Sequence, residues 1–243
     1  MKPDTSAGAG RRRGRPPGTT AQGVAMRKRL YGTAIELIAK RGYDSTTLRD
    51  IAARAGVSPA LLYKYFPSKR AVVLALYDEL SAEYAERAER LQPGRWRDRF
   101  LFALKTSLDV LGPDRKTISA LVPVLIGDRD EGVLSENATF SRLRVQGVFE
   151  EAVTGATDAL DPETSQALGR LLYIAHLAVI FWWLFDKSPG QRATAGLIAL
   201  LERLLPMAAL ALRLSRTRRL IVAADALCRE GLFGESGGLE PHA

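Results

Sequence analysis

Residues 46–70 read TTLRDIAARAGVSPALLYKYFPSKR, and this stretch constrains the fold more than any other. Thr47 is placed to cap a helix and Asp50, three positions on, to close a capping box, with Leu48, Ile51, Ala52 and Ala55 as its apolar face. Gly56 stops that helix, because glycine enters the left-handed region without steric cost. Ser58 caps a second helix with Pro59 in its first position, where a missing N–H is harmless. Pro67 ends it after two turns, and Ser68 caps a third. Two short helices joined by a glycine-bearing turn form a helix-turn-helix, the motif whose second helix enters the major groove of DNA.

Within the second helix Leu62 and Phe66, four apart, face the core, which turns Pro59, Ala60, Leu61 and Lys64 toward bases. Ala60 and Leu61 can meet thymine methyls and Lys64 can donate to guanine. Charge supports the reading. Residues 1–80 hold 15 Lys plus Arg against 6 Asp plus Glu, whereas residues 81–243 hold 20 against 21, so the whole net charge of +8 lies in the segment with these helices. Cations that neutralise phosphates release counterions and supply sequence-independent affinity.

The stretch resembles the DNA-binding region of the tetracycline-repressor (TetR) family of bacterial transcriptional regulators. The resemblance rests on Thr47 to Gly56, the turn Val57-Ser58, the run Leu62-Tyr63-Lys64-Tyr65-Phe66 and the pair Ser68-Lys69. It extends back over a first helix expected from Val24 to Arg41, and covers roughly 24–84. It implies that Arg49 also reads a base edge and that Thr47, Ser58, Tyr63, Tyr65 and Lys69 hold backbone phosphates, with a core position as the competing reading for the two tyrosines. It also implies a homodimer, formed through the last long helices, that responds to a small molecule.

Residues 1–23 are rich in Gly, Pro, Ser, Thr and Arg and lack periodic apolar positions, which predicts a disordered arm. Its Arg13-Gly14-Arg15-Pro16 looks like the core of an AT-hook, narrow enough for the floor of an A·T-rich minor groove. A plain basic tail is the competing reading. The single cysteine, Cys228, excludes an internal disulfide framework and, with no signal peptide, favours the cytoplasm. The most apolar window, Leu171 to Phe185, is shorter than a bilayer span and reads as a buried helix, with no membrane role.

Beyond Arg95 the chain reads as helix throughout: Trp96 to Leu111, Arg115 to Ile126, Glu136 to Val153, Pro162 to Phe185, Gln191 to Leu214 and about Thr217 to Leu232. The expected architecture is all-α: an arm (1–23), a three-helix DNA-binding domain (24–84), a helical effector-binding and dimerisation domain (85–234) and a short tail (235–243). No nucleophile, phosphate loop or metal-ligand spacing points to an enzyme or a cofactor, and His176 stands alone on an apolar helix. Phe100, Leu104, Leu121, Leu125, Phe149 and Trp182 are the expected apolar lining of an effector pocket, with Tyr173 and His176 as its polar groups, although each could simply fill the core. Leu197 and Leu201 are the expected dimer contacts. The function implied is a ligand-responsive repressor on an inverted-repeat operator; an architectural DNA binder with no effector is the alternative.

Overall fold

The structure, a computed structural model, describes residues 20–127 and 138–235. Every regular element among them is helical. The chain folds as two compact units, residues 1–72 and 73–243.

The first unit contains α1 (Ala21–Arg41), α2 (Leu48–Arg54), α3 (Pro59–Tyr65) and the start of α4 (Lys69–Ala88). Helix α1 begins three residues earlier than its apolar spacing implied, because the Thr20 hydroxyl caps it by accepting from the Gly23 amide at 3.0 Å. Gly42, at φ 86°, closes the helix, and buried Thr46 donates its hydroxyl to the Gly42 carbonyl at 2.8 Å. Leu30, Ala34 and Ile38 of α1 meet Ile51 and Ala52 of α2 and Leu62 of α3 in one buried core.

The second unit takes up the rest of α4 and adds α5 (Trp96–Leu111), α6 (Arg115–Gly127), α7 (Thr139–Thr154), α8 (Pro162–Phe185), α9 (Arg192–Ala211) and α10 (Ser215–Phe233). The sequence expectation divided the chain at 84/85; the packing divides it within α4. Helices α5 and α8 have the bounds the sequence implied, because Asp161 caps α8 through the Thr164 amide and Pro162 opens it. Gln191 is outside α9 rather than its first residue: it stands at φ 58° in a tight turn, where its side-chain oxygen accepts the Trp183 indole N–H at 2.8 Å.

Helices α7 and α8 approach so closely that a Cβ on Gly169 would lie 2.6 Å from Glu150 Cα. Phe100, Leu104, Phe149, Leu168 and Tyr173 fill the core around that crossing. At 24 residues α8 exceeds the fifteen-residue window read from sequence, and both it and α9 are long and apolar enough, by length and composition, to cross a membrane. In α8 44% of the most apolar window is buried, as in a core helix, against only 11% in α9.

Candidate functional site

In the helix-turn-helix, local hydrogen bonds fix both helix ends before any partner is involved. The Thr47 hydroxyl accepts from the Asp50 amide at 3.1 Å, while Asp50 Oδ2 accepts from the Thr47 amide at 2.9 Å. The Thr47 hydroxyl also donates to Asp50 Oδ2, and this bond first, then that from the Thr47 amide, holds the Asp50 carboxyl below the usual carboxylate range. Helix α2 ends in a Schellman motif: the Val57 amide donates to the Ala52 carbonyl and the Gly56 amide to that of Ala53, with Gly56 at φ 65°. The Ser58 hydroxyl then caps α3 by accepting from Leu61 N–H at 3.2 Å.

Leu62 and Phe66 anchor α3 in the core. Pro59, Ala60, Tyr63 and Lys64 are exposed, with Tyr63 47% accessible, and Leu61 is half-buried at the edge of the same face. Tyr63 is therefore no core tyrosine; Tyr65 is half-buried. Arg49 is exposed on α2. Two expected phosphate contacts already have structural partners. The Thr47 hydroxyl donates to Asp50 as well as accepting from it, and Lys69 donates to the Tyr43 carbonyl at 2.7 Å with its ammonium 4.2 Å from the Tyr43 ring centre. Two other cations serve the fold: Arg29 donates to the Ala55 carbonyl, and the Arg27 guanidinium lies over the Phe66 ring. Residues 13–16 of the expected minor-groove arm lie outside the described residues.

The second unit contains a half-open cavity of about 140 Å³ between α4, α5, α6, α7 and α8. Of the expected lining, Leu121, Tyr173 and His176 do face it. Phe100, Leu104 and Phe149 do not; they are buried in the adjoining core, where Phe149 packs 4.7 Å from the His176 ring. Trp182 is corrected outright: it is 50% exposed, and its neighbour Trp183, one residue and about 100° further round the helix, is the buried one. The side chain of Leu125 lies outside the described residues.

The cavity is apolar apart from a few groups. The Ser107 hydroxyl and His176 Nε2 are 2.7 Å apart, and burial holds the His176 pKa down to about 3, so the ring is neutral. Burial also pushes the Tyr84 and Tyr173 hydroxyls well up, keeping them protonated. Sequence reasoning missed Tyr84, Ser107 and above all Arg142, which is buried in the cavity wall. A signal for Arg142 existed: with Gln146, Phe149 and Val153 it falls at i, i+4, i+7 and i+11, on the face that α7 buries.

His176 sets a pH dependence. An unfolded histidine takes up its proton near pH 6.5, the native one only near 3, so in that window the unfolded state binds more protons and stability falls as pH falls. The loss is on the order of a few kcal/mol, since each unit between the two pKa values contributes up to about 1.4 kcal/mol. Urea unfolding from pH 7 to 4 is expected to show a steep acid limb in the wild type and a shallower one in His176→Gln. Equal limbs would assign acid lability to other groups.

Leu197 and Leu201, the expected dimer contacts, lie on α9. Both are half-buried against their own protomer's core, and the exposed apolar face of α9 carries Leu200, Leu204, Met207 and Leu210. Among the described residues no cluster of His, Cys, Asp and Glu could hold a metal.

Residues 30–76 match the family model for bacterial regulatory proteins of the tetR family. A TetR transcriptional regulator from Nitrosomonas europaea, of known crystal structure, superposes with a TM-score of 0.54 at 26% identity, over 76% of this chain and 98% of that one. The DNA-binding unit is of the TetR type. The transcriptional repressor KstR2 of Rhodococcus jostii is 28% identical over 192 residues, 76% of this chain and 91% of its own length. The HTH-type regulator YvkB of Bacillus subtilis is 32% identical over 71 residues. That match spans 38% of YvkB, and the next three curated relatives are matched over 31%, 17% and 17% of their lengths, in keeping with a TetR-family likeness concentrated in the DNA-binding unit.

Proposed function

We propose that this chain is a transcriptional repressor that binds an inverted-repeat operator as a homodimer and leaves it when a small, mostly apolar effector fills the cavity between α4 and α8. The observation that carries the reading is α3 itself: anchored by Leu62 and Phe66, it leaves Ala60, Tyr63 and Lys64 in solvent, in the segment that holds the chain's whole net positive charge. Pro59, Ala60, Leu61, Lys64 and Arg49 read bases; Ser58, Tyr63 and Tyr65 position the backbone, with Thr47 and Lys69 adding phosphate contacts through the helix ends they hold. The arm carrying Arg13, Gly14, Arg15 and Pro16 extends the contact into the adjacent minor groove. The exposed stripe of α9 is what the second protomer covers. A purely architectural DNA binder would have no use for an apolar cavity in a separate unit.

The mechanism is a population shift. Two reading units must sit about one helical turn apart to reach successive major grooves, and an effector that binds better to another spacing weakens operator affinity by that difference. The test is binding to single-base variants of an operator selected from random DNA. Arg49→Ala or Lys64→Ala is expected to remove about 1 to 3 kcal/mol of discrimination at one base pair per half-site. Tyr63→Phe is expected to weaken all sequences about equally. An unchanged preference profile in Arg49→Ala would remove it from the base readers.

A further inference from the structure

Among the described residues, the cavity holds a charge that no carboxylate neutralises. Arg142 is 9% exposed and is the one Lys or Arg among the described lining residues. Among the described residues no carboxylate pairs with it. Its contacts are the Phe233 ring, 4.4 Å from the guanidinium carbon, and a long bond from Nη1 to Gln146 Oε1 at 3.4 Å. Gln146 in turn donates to Glu150 at 2.8 Å, so the nearest acid on α7 is engaged one residue away from the guanidinium. A buried cation held only by a ring face and an amide oxygen keeps much of its desolvation penalty.

Other polar atoms around the cavity lack partners among the described residues. Arg142 Nε, the Tyr84 hydroxyl and His176 Nδ1 are buried with no hydrogen-bond partner. The proton of the neutral His176 ring stands on Nδ1 in the tautomer where Ser107 donates to Nε2, and on Nε2 where Ser107 accepts. A hydrocarbon guest would leave the Arg142 and Tyr84 donors unmet. A guest with two or more charges would bury at least one of them without a counter-cation. Space sets the remaining limit: about 140 Å³ is close to the roughly 150 Å³ of an engineered apolar cavity that takes up benzene.

We propose that the cavity selects a monocarboxylate with an apolar body of about one ring or a short chain, its carboxylate held by the Arg142 guanidinium. This inference rests on the effector reading above and narrows its chemical class. Planar carboxylate and planar guanidinium match in geometry and charge, and the Tyr84 hydroxyl offers a further hydrogen bond to the same anion. The apolar walls from Leu80, Val110, Leu121 and Leu177 take the body of the guest.

The experiment is calorimetric titration of the full-length protein at pH 7.5 with benzoate, phenylacetate and hexanoate, each against its neutral primary amide, with operator release measured separately. At least a tenfold preference for the acids is expected in the wild type, reduced in Arg142→Lys and lost in Arg142→Met. Equal or tighter binding of the amides to the wild type overturns the inference, and that comparison stands even if Arg142→Met fails to fold. Persistence of the preference in a folded Arg142→Met overturns it too, as does binding by neither set. Neutral apolar compounds that release the operator without any preference for acids would sink the inference and leave the repressor reading intact. Acids that bind selectively through Arg142 without releasing operator would support the inference and overturn the release mechanism.

Discussion

Replacing Leu204 and Met207 together by Asp is expected to turn the dimer into monomers and to reduce operator affinity by two orders of magnitude or more. Both side chains are exposed, Met207 to 67%, on a helix whose apolar content far exceeds what its own protomer buries. Full burial of such a side chain contributes roughly 1.5 to 3 kcal/mol, Leu204 and Met207 have 47% and 67% of their surface left to bury, and a two-fold interface uses each of them twice, so about 3 to 7 kcal/mol is lost before the added carboxylates are counted. A monomer then reaches one half-site only. Sedimentation velocity measures the first effect and operator titration the second. Leu201→Asp provides the contrast: because Leu201 packs on its own core, this variant is expected to lose thermal stability, whatever its state of association. Intact dimers from the double variant would place the interface on another surface.

The helix-turn-helix was legible in the sequence because its instructions are local. Thr47 with Asp50, Gly56, Ser58 with Pro59 and Pro67 each act within four residues of where they stand, and the structure uses all but the last as hydrogen-bonded caps, turn or first-turn residue. The start of α8 followed for the same reason, through Asp161 and Pro162, whereas the first amide of α5 donates to the distant Asp158. Helix phase in the second unit was not legible. Where a helix is apolar on several faces, periodicity no longer selects the one that turns inward, and adjacent residues such as Trp182 and Trp183 exchange roles. On α9 the same ambiguity hid that Leu197 and Leu201 pack on the protomer's own core while Leu200 and Leu204 are left exposed.

The chemistry of the cavity was half legible. Tyr173 and His176 could be named because they interrupt an otherwise apolar helix, and both face the cavity. Arg142 was hidden by its own charge: it sits two residues from Arg144, which pairs at the surface with Asp78 as a charged residue ordinarily does. Only the buried neighbours four and seven positions on distinguish the two arginines. The Ser107–His176 contact joins residues 69 apart, and no local pattern announces it.

The pair that ties α10 to the rest of the second unit was equally invisible, since its members are 55 residues apart. Arg170 on α8 donates to both oxygens of Asp225 on α10, at 2.8 Å from Nε and 2.6 Å from Nη2. The Asp225 side chain is 5% exposed and that of Arg170 20%. Asp225→Ala is expected to destabilise the protein by about 2 to 4 kcal/mol, because the loss is less that of the pair than of the compensation for a guanidinium left largely out of water. Arg170 is not fully enclosed, which keeps the figure below that of a completely buried partner. Replacing both, Arg170→Met with Asp225→Leu, removes the charge along with its partner and is expected to recover most of the loss. Urea unfolding of the two single variants and the double gives the coupling directly. A double variant no more stable than Asp225→Ala would show that the two side chains hold α10 by their shape and packing, and that the charge pairing contributes little.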